Sequence, residues 1–331
     1  MIAPELFIKR ALRATKVTRM EQVQALWSGY GEIARYQIQG AAPAQVILKA
    51  ISWSHIPPHP RGWQSTHSHQ RKIRSYQVEA LWYQHWAQRC PDDARVPRLL
   101  AVHEDTDITY LLLEDLDQSG YANRHVQLDV SQALTVLHWL ACFHSTFLRT
   151  PPHNDDWPQG LWQQGTYWHL ATRPDEWQAM APSPLKESAH GLDQALRACP
   201  YQTLVHGDAK VANFCFSDDD QQVAAVDFQY VGGGVGVQDV AYFLGSCLTE
   251  SQLTTHLDYL LEAYFSELSR CLVASGESPD LAESVANAWQ DLFAVAWADF
   301  HRFILGWSPQ HKKNTPFSQA LAQQGLAALG N

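Results

Sequence analysis

Leu204-Val205-His206-Gly207-Asp208-Ala209-Lys210-Val211-Ala212-Asn213-Phe214, followed by Ala225-Val226-Asp227-Phe228, is the most informative stretch of this 331-residue chain. Two apolar β-type runs flank a polar loop, and a second carboxylate, Asp227, ends the later run fourteen residues after Asn213. The segment Thr203 to Phe228 reads as a short strand-rich island with Asp218-Asp219-Asp220 at its turn. Single Asp and Asn residues often do no more than cap turns. A carboxylate, a carboxamide five residues on and a further carboxylate at a strand end are a more specific set. Hard oxygen donors such as Asn213 and Asp227 suit Mg²⁺, which takes few protein ligands and keeps phosphate oxygens and water as the rest. Asp208 is then placed to orient an acceptor hydroxyl and take its proton, and Lys210 to offset charge on a transferred phosphoryl group.

Around this island the periodicity is mostly helical. Leu134, Leu137, Ala141 and His144 share one helical face, Leu257, Leu260, Leu261, Tyr264 and Leu268 a second, and Trp289, Phe293, Trp297 and Phe300 a third. The first third of the chain reads differently. Ile33 to Gln39 alternates with period two, and a turn through Gly40 and Pro43 leads to the β-branched run Val46 to Ile51, which together predict an antiparallel hairpin. A polar, Pro- and His-rich stretch runs from Ser52 to Ser75. Val78, Leu81, Trp82 and Trp86 then predict a helix over Tyr76 to Gln88, and Val96 to Val102 and Ile108 to Leu113 predict two more strands. The expectation is an α+β chain with a small antiparallel β-rich lobe at 1–115 and a large, mainly helical lobe at 116–331.

Composition narrows the class. Hydrophobic residues at 46% against 18% charged exclude wholesale disorder. Lys+Arg 24 against Asp+Glu 34 gives −10, which leaves no cationic surplus for a nucleic-acid partner. The longest apolar runs fall far short of the ~18–20 residues of a membrane helix, and no secretory pattern opens the chain, so a soluble cytoplasmic protein is expected. The six cysteines contain no CxxC pair and read as reduced, mostly buried thiols.

The island resembles the catalytic loop of the kinase-like small-molecule phosphotransferases, a group that includes aminoglycoside phosphotransferases, choline/ethanolamine kinases and the ecdysteroid-kinase-like proteins. Protein kinases share the Asp-x-Lys-x-x-Asn spacing and have Asp-Phe-Gly where this chain has Asp227-Phe228-Gln229. His206-Gly207-Asp208 resembles the small-molecule form, since protein kinases carry Arg in the middle position. The ecdysteroid-kinase-like group fits best, through Ser75-Tyr76, Leu113-Glu114-Asp115-Leu116 and Gly236-Val237-Gln238-Asp239-Val240-Ala241-Tyr242-Phe243.

The resemblance implies a two-lobed protein-kinase-like fold that uses ATP and Mg²⁺. It implies that Lys49 holds ATP phosphates, that Glu79 pairs with Lys49, and that backbone groups around Glu114 and Leu116 receive adenine. Ser28 and Gly29 would contact phosphates through a loop poorer in glycine than that of protein kinases. Asp208 and Lys210 would be catalytic, Asn213 and Asp227 would hold the metal, and Asp239 would brace the loop. The implied reaction moves the γ-phosphoryl group to a hydroxyl of a small molecule of choline, amino-alcohol, sterol or sugar type. The alternative is a catalytically silent nucleotide-binding regulatory module, disfavoured because the base, the metal carboxylate and the strand lysine are all retained.

Other signals carry less. Gly232 to Gly236 lacks the Lys-Ser/Thr of a phosphate loop and reads as a flexible turn on the acceptor side. His55, His59, His67 and His69 lack a completing Cys or carboxylate, and a loop closing over ATP or acceptor is the better reading. His144 reads as a satisfied core histidine. Trp289, Trp297 and Phe300 read as core, whereas Trp162, Trp168 and Trp307 are better candidates for a pocket wall or a cage for a quaternary ammonium.

Overall fold

The computed structural model describes residues 2–26, 29–53, 66–149 and 157–330. The chain divides into two compact units, Met1–Gln88 with Val96–Ala122, and Arg89–Arg95 with Asn123–Asn331.

The first unit is built on a five-stranded antiparallel sheet of order β1-β2-β3-β5-β4, comprising β1 (Lys16–Ala25), β2 (Gly31–Gln39), β3 (Gln45–Ser52), β4 (Leu99–Glu104) and β5 (Ile108–Glu114). The alternation read in β2 sorts its faces: Ala34, Tyr36 and Ile38 enter a core with Val46, Leu48, Tyr110 and Leu112. Helix α1 (Pro4–Leu12) closes that face with Phe7 and Ile8. Because side chains alternate along a strand, Val46 and Leu48 facing α1 turn Lys49 to the other side of the sheet. There Ile51 packs with Tyr30 and with Tyr76 from helix α2 (Thr66–His85).

Two boundaries differ from expectation. Helix α2 begins ten residues before Tyr76, because Gln70, Arg71, Lys72 and Arg74 are good helix formers without an apolar rhythm. Strand β4 begins at Leu99 rather than Val96, since Pro97 has no N–H to give a ladder.

The second unit is mainly helical. Helix α3 (Val130–Thr146) opens with a capping box between Asp129 and Gln132 and buries Leu137, Ala141 and His144. Three short helices follow, α4 (Pro174–Ala179), α5 (Pro184–Glu187) and α6 (Ala189–Ala198). Two small antiparallel ladders then frame the informative loop: β6 (Thr203–Val205) pairs with β9 (Gly232–Gly234), and β7 (Phe214–Phe216) with β8 (Val223–Ala225). Gly232 to Gly234 is therefore a buried strand and not the flexible turn expected. A side chain at Gly232 would stand 2.2 Å from the Trp162 carbonyl, so the strand can lie this close only as glycine.

Helix α7 (Val237–Cys247) follows, then the long helices α8 (Glu250–Ala274) and α9 (Pro279–Trp307), and α10 (Pro316–Ala328). Trp289, Trp297 and Phe300 are core residues of α9. No helix among the described residues is long and apolar enough to cross a membrane.

Candidate active site

In the first unit, Lys49 and Glu79 form a buried ion pair, with Nζ 2.6 Å and 2.8 Å from the two carboxylate oxygens. Such a pair fixes both side chains, because removing one partner strands the other charge in a low-dielectric interior. The Arg35 guanidinium donates from Nε to Asp115 at 2.6 Å and also pairs with Asp117 and Glu21, so β2 anchors the turn that leaves β5. The Glu114 carboxylate accepts from Ser119 Oγ at 2.6 Å and from the Arg98 amide at 3.1 Å. Its side chain is thus committed to the turn. Gly29 adopts φ 75° and donates its amide to the Leu26 carbonyl at 3.1 Å. Ser28, like His55 and His59, lies outside the described residues, and His69 bonds the Tyr30 hydroxyl.

In the second unit the loop after β6 is held from beneath by Asp239 of α7. One Asp239 oxygen accepts the His206 amide at 2.5 Å and the other the Gly207 amide at 3.0 Å. His144 Nε2 lies 3.2 Å from the same carboxylate, and its Nδ1 lies 2.8 Å from the Tyr264 hydroxyl. Since a carboxylate only accepts, His144 donates through Nε2 and accepts the Tyr264 proton at Nδ1. His144 is thus a satisfied core histidine that steadies the loop brace. His206 is fixed in the same way: Nε2 donates to the Val226 carbonyl at 3.0 Å, and Nδ1 accepts the Asp208 amide at 3.2 Å.

Asp208 is surrounded by donors. Oδ2 accepts from Lys210 Nζ at 2.8 Å and Asn213 Nδ2 at 3.2 Å, and Oδ1 accepts from the Tyr242 hydroxyl at 3.2 Å. Burial alone would lower the Lys210 pKa, but the Asp208 and Asp227 carboxylates outweigh it and hold the ammonium above its ordinary value. Burial pushes the Tyr242 phenol well up, so it stays a donor toward Asp208.

Asn213 also donates from Nδ2 to the Asp208 carbonyl at 2.8 Å. With its nitrogen so occupied, its carbonyl oxygen is the atom left for a hard cation. Asp227 adopts φ 68°, an uncommon conformation for a non-glycine residue, and receives a hydrogen bond from Gln229 on Oδ1. Gln229, where the resemblance leads one to expect glycine, thus holds the carboxylate in place. The donor set of an amide oxygen and a carboxylate beside Lys210 fits Mg²⁺.

An aromatic cluster adjoins Asp208. Tyr167, Trp168, Tyr242, Phe300 and Phe303 meet with ring centroids 4.8–5.5 Å apart. Trp168 is fully buried and donates from Nε1 to Asp299 at 3.0 Å, so it belongs to the core and not to a pocket wall. The Lys313 ammonium stands 4.9 Å from the Tyr242 ring centre and 5.2 Å from that of Phe300. Burial pulls its pKa down to about 8. Tyr242, Tyr167, Arg35 and Lys313 belong to no motif of the sequence that points to a site. Only Tyr242 offered a signal, one helical turn from Asp239.

Residues 178–277 match the ecdysteroid kinase-like family. The matched span contains the whole loop from His206 to Asn213, Asp227 and Asp239. No curated protein matches the chain in sequence. Among solved structures, a putative aminoglycoside phosphotransferase from Ralstonia eutropha aligns at TM-score 0.48 and 12% identity, covering 98% of this chain and 96% of that one. An ethanolamine kinase from Plasmodium vivax aligns at 0.47 and 9%, covering 95% and 81%. A microcompartment-associated aminopropanol kinase aligns at 0.45 and 15%, covering 95% and 90%.

Proposed function

We propose that the protein is a small-molecule kinase that moves the γ-phosphoryl group of ATP to an acceptor hydroxyl. The observation that carries this reading is the convergence of Lys210, Asn213 and Tyr242 on the Asp208 carboxylate, in a loop matched to a kinase-like family. Residues 1–115 would serve the nucleotide, and residues 116–331 the chemistry and the acceptor.

Asp208 accepts a hydrogen bond from the acceptor hydroxyl and takes its proton as the new O–P bond forms and the bond to the β-phosphate breaks. Help of this kind contributes ~10²–10⁴-fold. Lys210 faces the developing phosphoryl charge, and Lys49, fixed by Glu79, binds the α- and β-phosphates, with Gly29 and Ser28 on the phosphates and the main chain at Glu114 and Leu116 on adenine. Asn213 and Asp227 hold Mg²⁺, which when bound neutralises phosphate charge and orients the transferring group. Most of the acceleration then comes from positioning and preorganised charge. Because Tyr242 and Phe300 are buried and the Lys313 ammonium stands over both rings, a quaternary ammonium at them would meet like charge, which favours neutral or anionic alcohols over choline.

Phosphorus NMR with ATP, Mg²⁺ and pooled hydroxyl metabolites tests the reading. A new phosphomonoester that Asp208→Asn and Asp227→Ala fail to make supports it. A product that persists in both variants overturns the assignment, and no product from any pool favours the regulatory alternative.

A further inference from the structure

Far from Asp208 in sequence and chemistry, three potential ligand side chains meet beside the packing of α3 and α8, and a second thiol lies against one of them. His138 and Cys142 lie one helical turn apart on α3, and Cys271 comes from α8. Asp93 comes from a single 3₁₀ turn, Asp92–Ala94. That turn is fixed by fully buried Ala94 and by the Arg95 carbonyl, which accepts from Trp139 Nε1 at 3.0 Å. Ligand atoms of Asp93, His138 and Cys142 all lie within 4.8 Å of one another. Cys142 Sγ is 3.9 Å from His138 Nε2 and 2.9 Å from Cys271 Sγ.

We propose that Asp93, His138, Cys142 and Cys271 form a binding site for a thiophilic divalent cation of the Zn²⁺ type. No local spacing marks it, because the two cysteines stand 129 residues apart and no CxxC pair exists.

Three features favour a metal over two idle thiols. First, the donor set is two sulfurs, an imidazole and a carboxylate, the mixture that borderline-soft Zn²⁺ takes in four-coordinate sites. Tetrahedral bonds of about 2.3 Å to sulfur and 2.0 Å to nitrogen place S···S roughly 3.7 Å and S···N roughly 3.5 Å apart. The sulfurs would therefore part by less than about 1 Å, and Cys142 would approach His138 by a few tenths.

Second, the imidazole is already oriented. Its Nδ1 lies 3.0 Å from Glu267 Oε2, which directs Nε2 toward the sulfurs. A carboxylate on the far nitrogen is the usual support of a metal-bound histidine, because it fixes the tautomer and raises the basicity of the ligating nitrogen. A disulfide between Cys142 and Cys271 would need neither His138 nor Asp93.

Third, a cation stands at hand to offset the charge. Two thiolates and the Asp93 and Glu267 carboxylates against a dication leave two negative charges, and Arg270 offsets one of them, donating to Cys271 Sγ at 3.5 Å and to Glu267 at 2.8 Å. Asp93 is exposed and His138 partly so, which gives a cation a way in. The same two helices carry His144 and Tyr264, so the metal would tie together the pair that steadies the Asp239 brace.

The test is a Co²⁺ titration of the full-length reduced protein, followed by visible absorption. One equivalent should bind with thiolate-to-cobalt charge transfer and d–d bands of tetrahedral intensity, and Zn²⁺ should displace it. His138→Gln and Cys142→Ser should weaken binding at least about tenfold, as loss of a metal-site residue does, while Cys90→Ser leaves it unchanged. Should a cysteine variant not fold, alkylation of the native chain gives a second reading: Zn²⁺ should protect Cys142 and Cys271 and not Cys90. Absence of stoichiometric Co²⁺ binding, binding indifferent to His138 and Cys142, or isolation of the native chain as a metal-free Cys142–Cys271 disulfide would each overturn the proposal.

Discussion

Tyr242 donates its hydroxyl to Oδ1 of Asp208 at 3.2 Å, on the side of the carboxylate that Lys210 and Asn213 do not touch. Both oxygens of the proposed base are thereby fixed, and the plane of the carboxylate is set before any acceptor arrives. Tyr242→Phe removes one of these bonds and little volume. We expect kcat for phosphoryl transfer to fall about 10–100-fold, the usual result of a loosened reacting group, with the ATP KM unchanged. Steady-state kinetics decide it: a kcat within twofold of wild type would show that Asp208 is oriented without Tyr242.

Asp239 satisfies two main-chain amides and one buried imidazole. Replacement by alanine strands all three donors, each at a cost of about 1 kcal/mol or more. Asp239→Ala should lose about 3–5 kcal/mol in urea unfolding. A loss below 1 kcal/mol would mean that solvent or a rearranged loop takes over the brace.

Glu79→Gln keeps the shape of the side chain and removes its charge. Lys49, without the carboxylate that now holds its ammonium, should lose part of what fixes its direction. ATP affinity should drop at least tenfold, measured by titration with a fluorescent nucleotide. Equal affinity in the two proteins would remove Lys49 from the nucleotide site.

Acid sensitivity has an identifiable source in α9. Burial lowers the His301 pKa from 6.5 to about 4, and its Nδ1 lies 2.9 Å from Ser318 Oγ, which also receives Trp297 Nε1 at 3.1 Å. Between pH 6.5 and 4 the unfolded chain binds a proton that the folded one refuses, so this group lowers stability as pH falls through that window. The loss amounts to about 3 kcal/mol near pH 4 and vanishes above the unfolded value. His301→Gln should flatten the dependence of the urea midpoint between pH 7 and 4.5. Parallel slopes in variant and wild type would place the sensitivity elsewhere.

What the sequence displayed and what it concealed divide along physical lines. Strands β2, β3 and β5 announce themselves because one face of each meets a core, which imposes alternation or an apolar run. Strand β1 does not: from Lys16 to Ala25 it is an edge strand, nearly all exposed, with register shifts at Arg19/Glu21 and Gln22/Gln24, so burial imposes no pattern on it. Helix α1 is equally silent, being nine residues with only Phe7 and Ile8 buried.

Within the candidate site, the loop from His206 to Asn213 was legible because metal and proton chemistry demand particular residue types at short, fixed spacing. Lys49 and Glu79 lie thirty residues apart and were paired only through the family resemblance. Lys313, Arg35 and the Cys142–Cys271 approach depend on how distant elements meet, and no local rule of spacing records that.

Gly207 has φ 78°, and a Cβ there would stand 2.1 Å from the Tyr230 carbonyl. The small middle residue of His206-Gly207-Asp208 is thus dictated by a neighbouring main chain passing behind the loop. It measures how closely two backbones run, so any side chain at this position would demand another course for the chain after Asp227.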